Sequence, residues 1–358
     1  MKIIDKYIIR TFLMTFFYSI GLIVAIAIVF DFSEKVDDFI DRQAPASAIA
    51  FRYYLNFIPY FANLFSPLFV FISVIFFTSR MANRTETVAI FCSGISFPRF
   101  LVPYFVAASC IALLSLYLNN YIIPRSNEKR LAFENQYIRN PFVFKYRNIH
   151  RQLDKGNFIY FESFNNYDNV GFRFSNERFN KGEMYYKLSA ERIVWDSIVS
   201  EWRIEQYTIR EFDGMNEKIL KGNNLDTSYA FTPEEFKRRE SNIETMDTPE
   251  LIQFIRNEKA RGVANTAYME VERHRRTSFP FATFILTIIG VSISSKKVKG
   301  GLGMQLGIGI FIAFAYIMLM QVSTTFAIKA DFSPLVSVWI PNAVFALVAV
   351  FLFRKSNL

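Results

Sequence analysis

Hydrophobic positions gather into six long runs with almost no charge, at 12–30, 55–78, 100–122, 278–293, 302–325 and 335–353. A helix needs about 20 apolar residues to cross about 30 Å of hydrocarbon, so each run predicts a membrane-spanning helix. The fourth run is the shortest and carries Pro280 near its start, where proline is tolerated. The fifth opens with Gly303, Gly307 and Gly309, a spacing that predicts close helix approach. The first run is long for the apolar part of a signal peptide. The only small-residue cluster after it, Ala46-Ser47-Ala48, lies beyond an acidic stretch, so the first segment is expected to stay attached.

Between the third and fourth runs the pattern changes. Residues 124–247 are polar and contain short segments of alternating character, among them Phe158-Ile159-Tyr160-Phe161 and Tyr185-Tyr186-Lys187-Leu188. Period-two alternation broken by turns such as Asp213-Gly214 and Gly222-Asn223-Asn224 predicts antiparallel strands in a sandwich or jelly roll. Trp202 and Ile204 share one parity and Tyr207 and Ile209 the other, so a bulge between them is expected. Thr248-Pro249-Glu250 then opens a helix, with Thr248 as its cap and Gly262 as its end. A second polar helix through Glu270, Glu272 and Arg273 leads into the fourth run. The expected organisation is three spanning helices over 1–123, an all-β, jelly-roll-like domain over 124–247, a helical connector over 248–276, and three further spanning helices over 277–358.

Charge orients this layout. Lys2, Lys6 and Arg10 precede the first run; Arg80, Arg84 and Arg99 bracket the second loop; Lys296, Lys297 and Lys299 fill the fourth; Arg354 and Lys355 close the chain. The opposite loops hold Asp31, Glu34, Asp37, Asp38 and Asp41. Positive loops stay inside, so both termini are expected in the cytoplasm and the large domain outside. The net charge of +9 comes largely from those loops, which removes it as an argument for nucleic-acid binding.

Candidate chemistry is sparse. Two cysteines, Cys92 and Cys110, and two histidines, His150 and His274, supply neither a disulfide framework nor a metal-ligand spacing. No GxxxxGK[ST], GxSxG, HExxH or CxxC pattern occurs, so no nucleotide, cofactor or metal is expected to be held by this chain and no enzyme activity is expected of it. The runs hold almost no ionisable groups, which argues against an ion-coupled carrier. Energy for transport would have to come from a partner.

The most informative short segment is the loop after the second run, about residues 80–94. It reads as a short amphipathic helix stopped by Gly94, with Val88 and Phe91 placed to enter a partner's groove and Arg84 and Glu86 presented for charged contacts. An interfacial helix resting on lipid headgroups fits the same pattern.

Several segments, in order along the chain, resemble one family. They are Asp5-Lys6-Tyr7-Ile8 before the first run, Arg84-x-Glu86 with Gly94-Ile95-Ser96, and Thr248-Pro249-Glu250-Leu251 with Arg261-Gly262. His274-Arg275-Arg276-Thr277-Ser278-Phe279-Pro280 and Ile340-Pro341-Asn342 follow. Together they are similar to the lipopolysaccharide-export permeases of the LptF/LptG type, leaning towards LptG. The resemblance implies a permease subunit with six spans and a periplasmic jelly roll, in a bacterial inner membrane. Two such permeases would pair over a cytoplasmic ABC ATPase dimer, which uses the ATP and Mg, often with a single-span periplasmic subunit. Lipopolysaccharide would be extracted and passed to a periplasmic bridge.

On this resemblance Arg84, Glu86, Val88, Phe91 and Gly94 form the ATPase-coupling helix. Lys35, Arg42 and Arg52 are the basic candidates for lipid phosphates in a segment that is otherwise acidic. Phe158, Tyr160, Trp195 and Trp202 are candidates for the wall of a lipid groove, against the plainer expectation that each fills the core. Two other classes compete: a membrane subunit that transmits ATPase motion to periplasmic partners, and a membrane-anchored enzyme of envelope biosynthesis.

Overall fold

The computed structural model describes residues 2–138, 147–165, 168–214, 216–233, 240–260, 266–297, 301–330 and 332–356. Contacts divide the chain into two units: 1–138 with 244–251 and 267–358, and 139–243 with 252–266.

The first unit is helical. Among its described residues six helices are long and apolar enough to span a membrane: α1 (Ile3–Asp41), α2 (Ala46–Asn83), α4 (Phe97–Tyr137), α6 (Ala267–Ser294), α7 (Gly301–Lys329) and α8 (Pro334–Ser356). The short α3 (Glu86–Cys92) sits between α2 and α4. On α1 the buried residues Ile8, Phe12, Phe16, Ile20 and Val24 recur every fourth position and form one stripe. The remaining face, with Phe17, Leu22 and Phe30, is exposed and apolar, as a surface against lipid requires. One core joins α1, α2 and α4 through Phe12, Val74, Phe77 and Tyr104. A second joins α2, α6, α7 and α8 through Phe71, Leu286, Tyr316 and Phe345.

Inside these cores helices are tied by side-chain hydrogen bonds. Thr78 and Tyr104 share one at 2.8 Å, Tyr316 donates to Asn342 at 2.9 Å, and Asn342 donates to the Ser278 carbonyl at 2.9 Å. Of the four glycines on α7, only Gly309 stands where a Cβ would collide, with the end of the Ile75 side chain; Gly301, Gly303 and Gly307 face open space.

The spans overrun the boundaries expected from hydropathy. The acidic stretch 31–41 is the last part of α1, and residues 124–137, assigned above to the β domain, continue α4. A π-helical turn, Leu118–Ile122, stands directly before the proline at 124 and is one way a helix absorbs the missing donor. Beyond it Ile123, Asn127, Arg130, Leu131 and Glu134 form a buried stripe at helical spacing. Packing within the protein thus holds a stretch too polar for lipid. Likewise α6 begins at Ala267, well before its apolar run.

The connector contributes α5 (Thr248–Ala260). Its cap is Asp247, whose carboxylate accepts the Glu250 N–H at 2.9 Å; the Thr248 hydroxyl donates instead to Asn120 at 2.5 Å. Arg261, Gly262 and Lys299 lie outside the described residues.

Among its described residues the second unit carries six strands, β1 (Arg147–Asp154), β2 (Asn157–Asn165), β3 (Val170–Asn180), β4 (Glu183–Asp196), β5 (Glu201–Asp213) and β6 (Asn216–Thr227). Every described pairing is antiparallel, and the strands lie in one sheet in chain order. One face buries Phe161, Phe174, Leu188, Ile193, Trp202 and Ile204.

The parity change expected in β5 occurs, and it is shared. Glu205 and Gln206 both leave the core face, and so do Arg192 and Glu191 on β4, Phe172 and Arg173 on β3, and Ser163 and Glu162 on β2. The β4–β5 register runs through unshifted because each strand makes the same step at the same level. Gln206 and Arg173 take the step with φ of 52° and 48°, a conformation costly outside glycine. The result is a crease across four strands that keeps a single core face.

Candidate functional site

Within the helical unit, α3 opens after Thr85, held at φ 64°, and closes at Gly94, at φ 85°. The Gly94 N–H returns to the Phe91 carbonyl at 3.0 Å, a close that favours glycine. Helix α3 spans less than the expected 80–94, since residues 80–83 still belong to α2. Glu86 begins α3, where a carboxylate suits the helix dipole. It accepts from the Tyr7 hydroxyl of α1 at 3.5 Å and lies 4.0 Å from the Arg84 guanidinium. Nearby, Arg99 of α4 donates to the buried Asp5 of α1 at 2.7 Å.

The two apolar candidates on α3 separate. Val88 is 50% exposed, and with Ala89 and Cys92 it forms the outward face. Phe91 turns inward, with ring contacts to Phe100 at 5.3 Å and Phe97 at 6.3 Å. Thr87 is fully buried beside it. Phe91 therefore anchors α3 to its own bundle instead of facing a partner.

At the far end of α1 the basic candidates also separate. The Lys35 ammonium contacts Asp31 at 2.5 Å, hydrogen-bonds the Tyr53 hydroxyl and lies over the Tyr53 ring. Asp31 further accepts from Tyr54 at 3.2 Å. The Lys35 charge is thus matched within its own helix bundle. Arg52 is exposed on the π-helical turn Ile49–Tyr54, and Arg42 caps α1, its N–H returning to the Asp38 carbonyl at 3.1 Å.

A cluster that hydropathy did not reveal lies among α2, α4, α6 and the start of the connector. Arg130 sits 3.7 Å from Glu134 and 3.8 Å from Glu244, and 4.8 Å above the Tyr60 ring. Glu272 holds Arg275 at 2.7 Å and Arg276 at 3.2 Å, and Arg276 donates to the Met246 carbonyl at 2.8 Å. A cavity of about 50 Å³ between them has room for a water, and the buried Asn127 Oδ1 on its wall has no partner among the described residues. Burial, aided by the Glu272 charge, pushes the Glu244 carboxyl up. The available signal was the i,i+4 spacing of Arg130 with Glu134 and of Glu272 with Arg276.

In the β unit the four aromatic candidates do not form one wall. Trp202 is fully buried and donates from its indole N–H to the Phe231 carbonyl at 2.9 Å, and Trp195 packs on it at 5.1 Å. Phe158, 40% exposed, and Tyr160, which donates to Asn148 at 2.7 Å, stand on the opposite face. They border an open cavity of about 640 Å³. Among the described residues no group of His, Cys, Asp and Glu is placed to hold a metal ion.

The profile of a family described as "Lipopolysaccharide export system permease LptF/LptG" matches residues 6–355. The chain belongs to the LptF/LptG permease family. Two curated relatives, both "Lipopolysaccharide export system permease protein LptG", come from Escherichia coli strain K12 and from Escherichia coli O6:H1 strain CFT073. Each is 18% identical over 361 residues, covering 99% of this chain and 99% of the relative. Six apolar helices with an antiparallel sheet inserted between the third and fourth agree with the architecture of an LptF/LptG permease. The chain is a multi-pass inner-membrane protein of a lipopolysaccharide-transport family, and a permease rather than an enzyme.

Proposed function

We propose that this LptF/LptG-family chain is one permease of an ATP-driven exporter that lifts lipopolysaccharide from the inner membrane and hands it to a periplasmic bridge. The observation that carries the reading is the family match over residues 6–355, nearly the whole chain. Likeness to LptG relatives along their full length favours the G-type role. A second permease of the family would complete the pair. A cytoplasmic ABC ATPase dimer would bind and hydrolyse ATP with Mg, and a single-span periplasmic subunit would join them. Both termini and α3 face the cytoplasm in this reading, and the β unit faces the periplasm, following the positive loops.

The outward face of α3, with Val88 beside Arg84 and Glu86, is the surface offered to the ATPase. Tyr7 and the Asp5–Arg99 pair link that surface to α1. The apolar outer faces of α1 and α7, with Phe17 and Leu22 on one and Phe311 and Phe314 on the other, suit a lateral gate for a multi-acyl lipid. Each CH₂ kept out of water is worth about 0.8 kcal/mol, so such a lipid travels only along apolar surface. Arg52, exposed on its turn, is the basic group offered to lipid phosphates, whereas Lys35 is matched by Asp31.

The test is purification of the full chain from native membranes in mild detergent, with wild type compared to Glu86→Arg. Co-purifying ATPase and bound glycolipid are read by mass spectrometry. Wild type should bring both, and Glu86→Arg should lose most of the ATPase. Absence of both from folded wild-type protein would refute the reading.

A further inference from the structure

The outer face of the β sheet carries a built trench that the permease reading does not use. Its floor is a transverse row of small hydroxyls. Ser175, Ser189 and Thr208 stand directly opposite one another on β3, β4 and β5. With strands about 4.8 Å apart, that row runs about 10 Å. Two residues along each strand on one side stand Glu177 and Lys187, paired at 2.7 Å, with Phe158 opposite Glu177 on β2. Two residues along on the other side stand Arg173, Glu191 and Gln206, at the crease, where Arg173 and Gln206 hold left-handed backbone. The walls are thus about 14 Å apart at strand spacing. Tyr160 closes one end opposite Ser175, its ring 4.7 Å from His150. The trench is the open cavity of about 640 Å³ noted above, a volume within the range of small-ligand sites.

The chemistry selects the occupant. Each floor hydroxyl both donates and accepts. The walls carry both signs and largely satisfy themselves: Lys187 meets Glu177, and Arg173 meets Glu162 at 2.9 Å. A polyanion or polycation gains little from a balanced trench, and an acyl chain would strip water from hydroxyls and charges without replacing it. A ring bearing many hydroxyls can exchange hydrogen bonds with the floor, amide and carboxylates while resting an apolar face on Tyr160 or Phe158. We propose that this trench binds a saccharide. Strained Arg173 and Gln206, both on one wall, fit a site whose shape is held against local backbone preference.

The test uses the full chain in phospholipid nanodiscs, free of sugar-headed detergents. Saturation-transfer NMR is recorded with maltotriose, triacetylchitotriose and the acyl-free oligosaccharide released from lipopolysaccharide by mild acid. At least one should receive transfer, and Ser189→Trp, which fills the floor from the outer face, should cut that signal at least fivefold. Tyr160→Ala should weaken the same signal without touching the core face. Intact lipopolysaccharide in the disc separates the sources: displacement assigns the trench to a lipid-borne glycan, and binding without displacement assigns it to a free saccharide. No transfer from any of the three sugars, or transfer unchanged in folded Ser189→Trp, overturns the proposal. Because the readout involves neither ATPase nor lipid movement, its failure leaves the permease reading standing.

Discussion

Trp202 decides whether the inner face of the sheet is packed core or open groove. Its side chain is fully buried, its ring lies 5.0 Å from Phe231, 5.1 Å from Trp195 and 6.3 Å from Phe164, and its N–H binds the Phe231 carbonyl. Trp202→Phe keeps an aromatic ring but removes that donor. The lost hydrogen bond is worth about 1 kcal/mol, and an orphaned buried carbonyl adds about 1–3 kcal/mol. The void left by the smaller ring contributes about 1 kcal/mol more. Terms of this kind overlap, so the expected loss is about 2–4 kcal/mol, and Trp202→Ala should exceed it at about 3–5 kcal/mol from truncation alone. The assay is hydrogen exchange on the full chain in nanodiscs, following amides of β2 to β5. Their opening free energy should fall by these amounts while amides of α2 and α6 hold their protection. If Trp202→Phe left sheet exchange within about 0.5 kcal/mol of wild type while lipid transport failed, Trp202 would line a groove and the packing argument would be wrong.

The other expectations concern the helical unit. Val88→Asp should leave thermal stability within about 0.5 kcal/mol of wild type, as surface changes usually do, yet lose co-purifying ATPase. Phe91→Ala should instead cost about 1–3 kcal/mol in thermal unfolding, because its ring is packed on Phe97 and Phe100; equal stability of the two variants would refute the assigned faces. Glu244 has its folded value raised, so its contribution is fully present below the unfolded value near 4.5 and is lost as pH rises through the folded value. Glu244→Gln should therefore melt higher than wild type at pH 8, with the gap closing towards pH 4.5. A lower melting point for Glu244→Gln at pH 8 would show that the Arg130 contact outweighs burial.

Much of this architecture was legible because lipid imposes a strong and local requirement. A run such as 335–353 needs only length and lack of charge to declare itself, and α8 follows it closely. The ends of α1, α4 and α6 were not legible by that rule, since Asp31, Arg130 and Glu272 meet partners within the protein instead of lipid. Their signal was i,i+4 charge spacing, which a search for apolar runs passes over. The α3 segment was located from Gly94 and Glu86, but which of Val88 and Phe91 faces inward depends on the phase of a seven-residue helix. That phase is set by the docking of Phe91 on α4. In the sheet the parity change at β5 was visible, while its alignment with β2, β3 and β4 was not, because register is a relation between segments. The same holds for the trench. Ser175, Ser189 and Thr208 are unremarkable in three separate strands, and they become one surface only because the shared crease leaves the register unbroken. Had β5 alone carried the bulge, Thr208 would have slipped relative to Ser189 and the hydroxyl row would not exist. The crease therefore serves two faces at once, keeping Trp202 and Tyr207 on the core side and lining up polar side chains on the other.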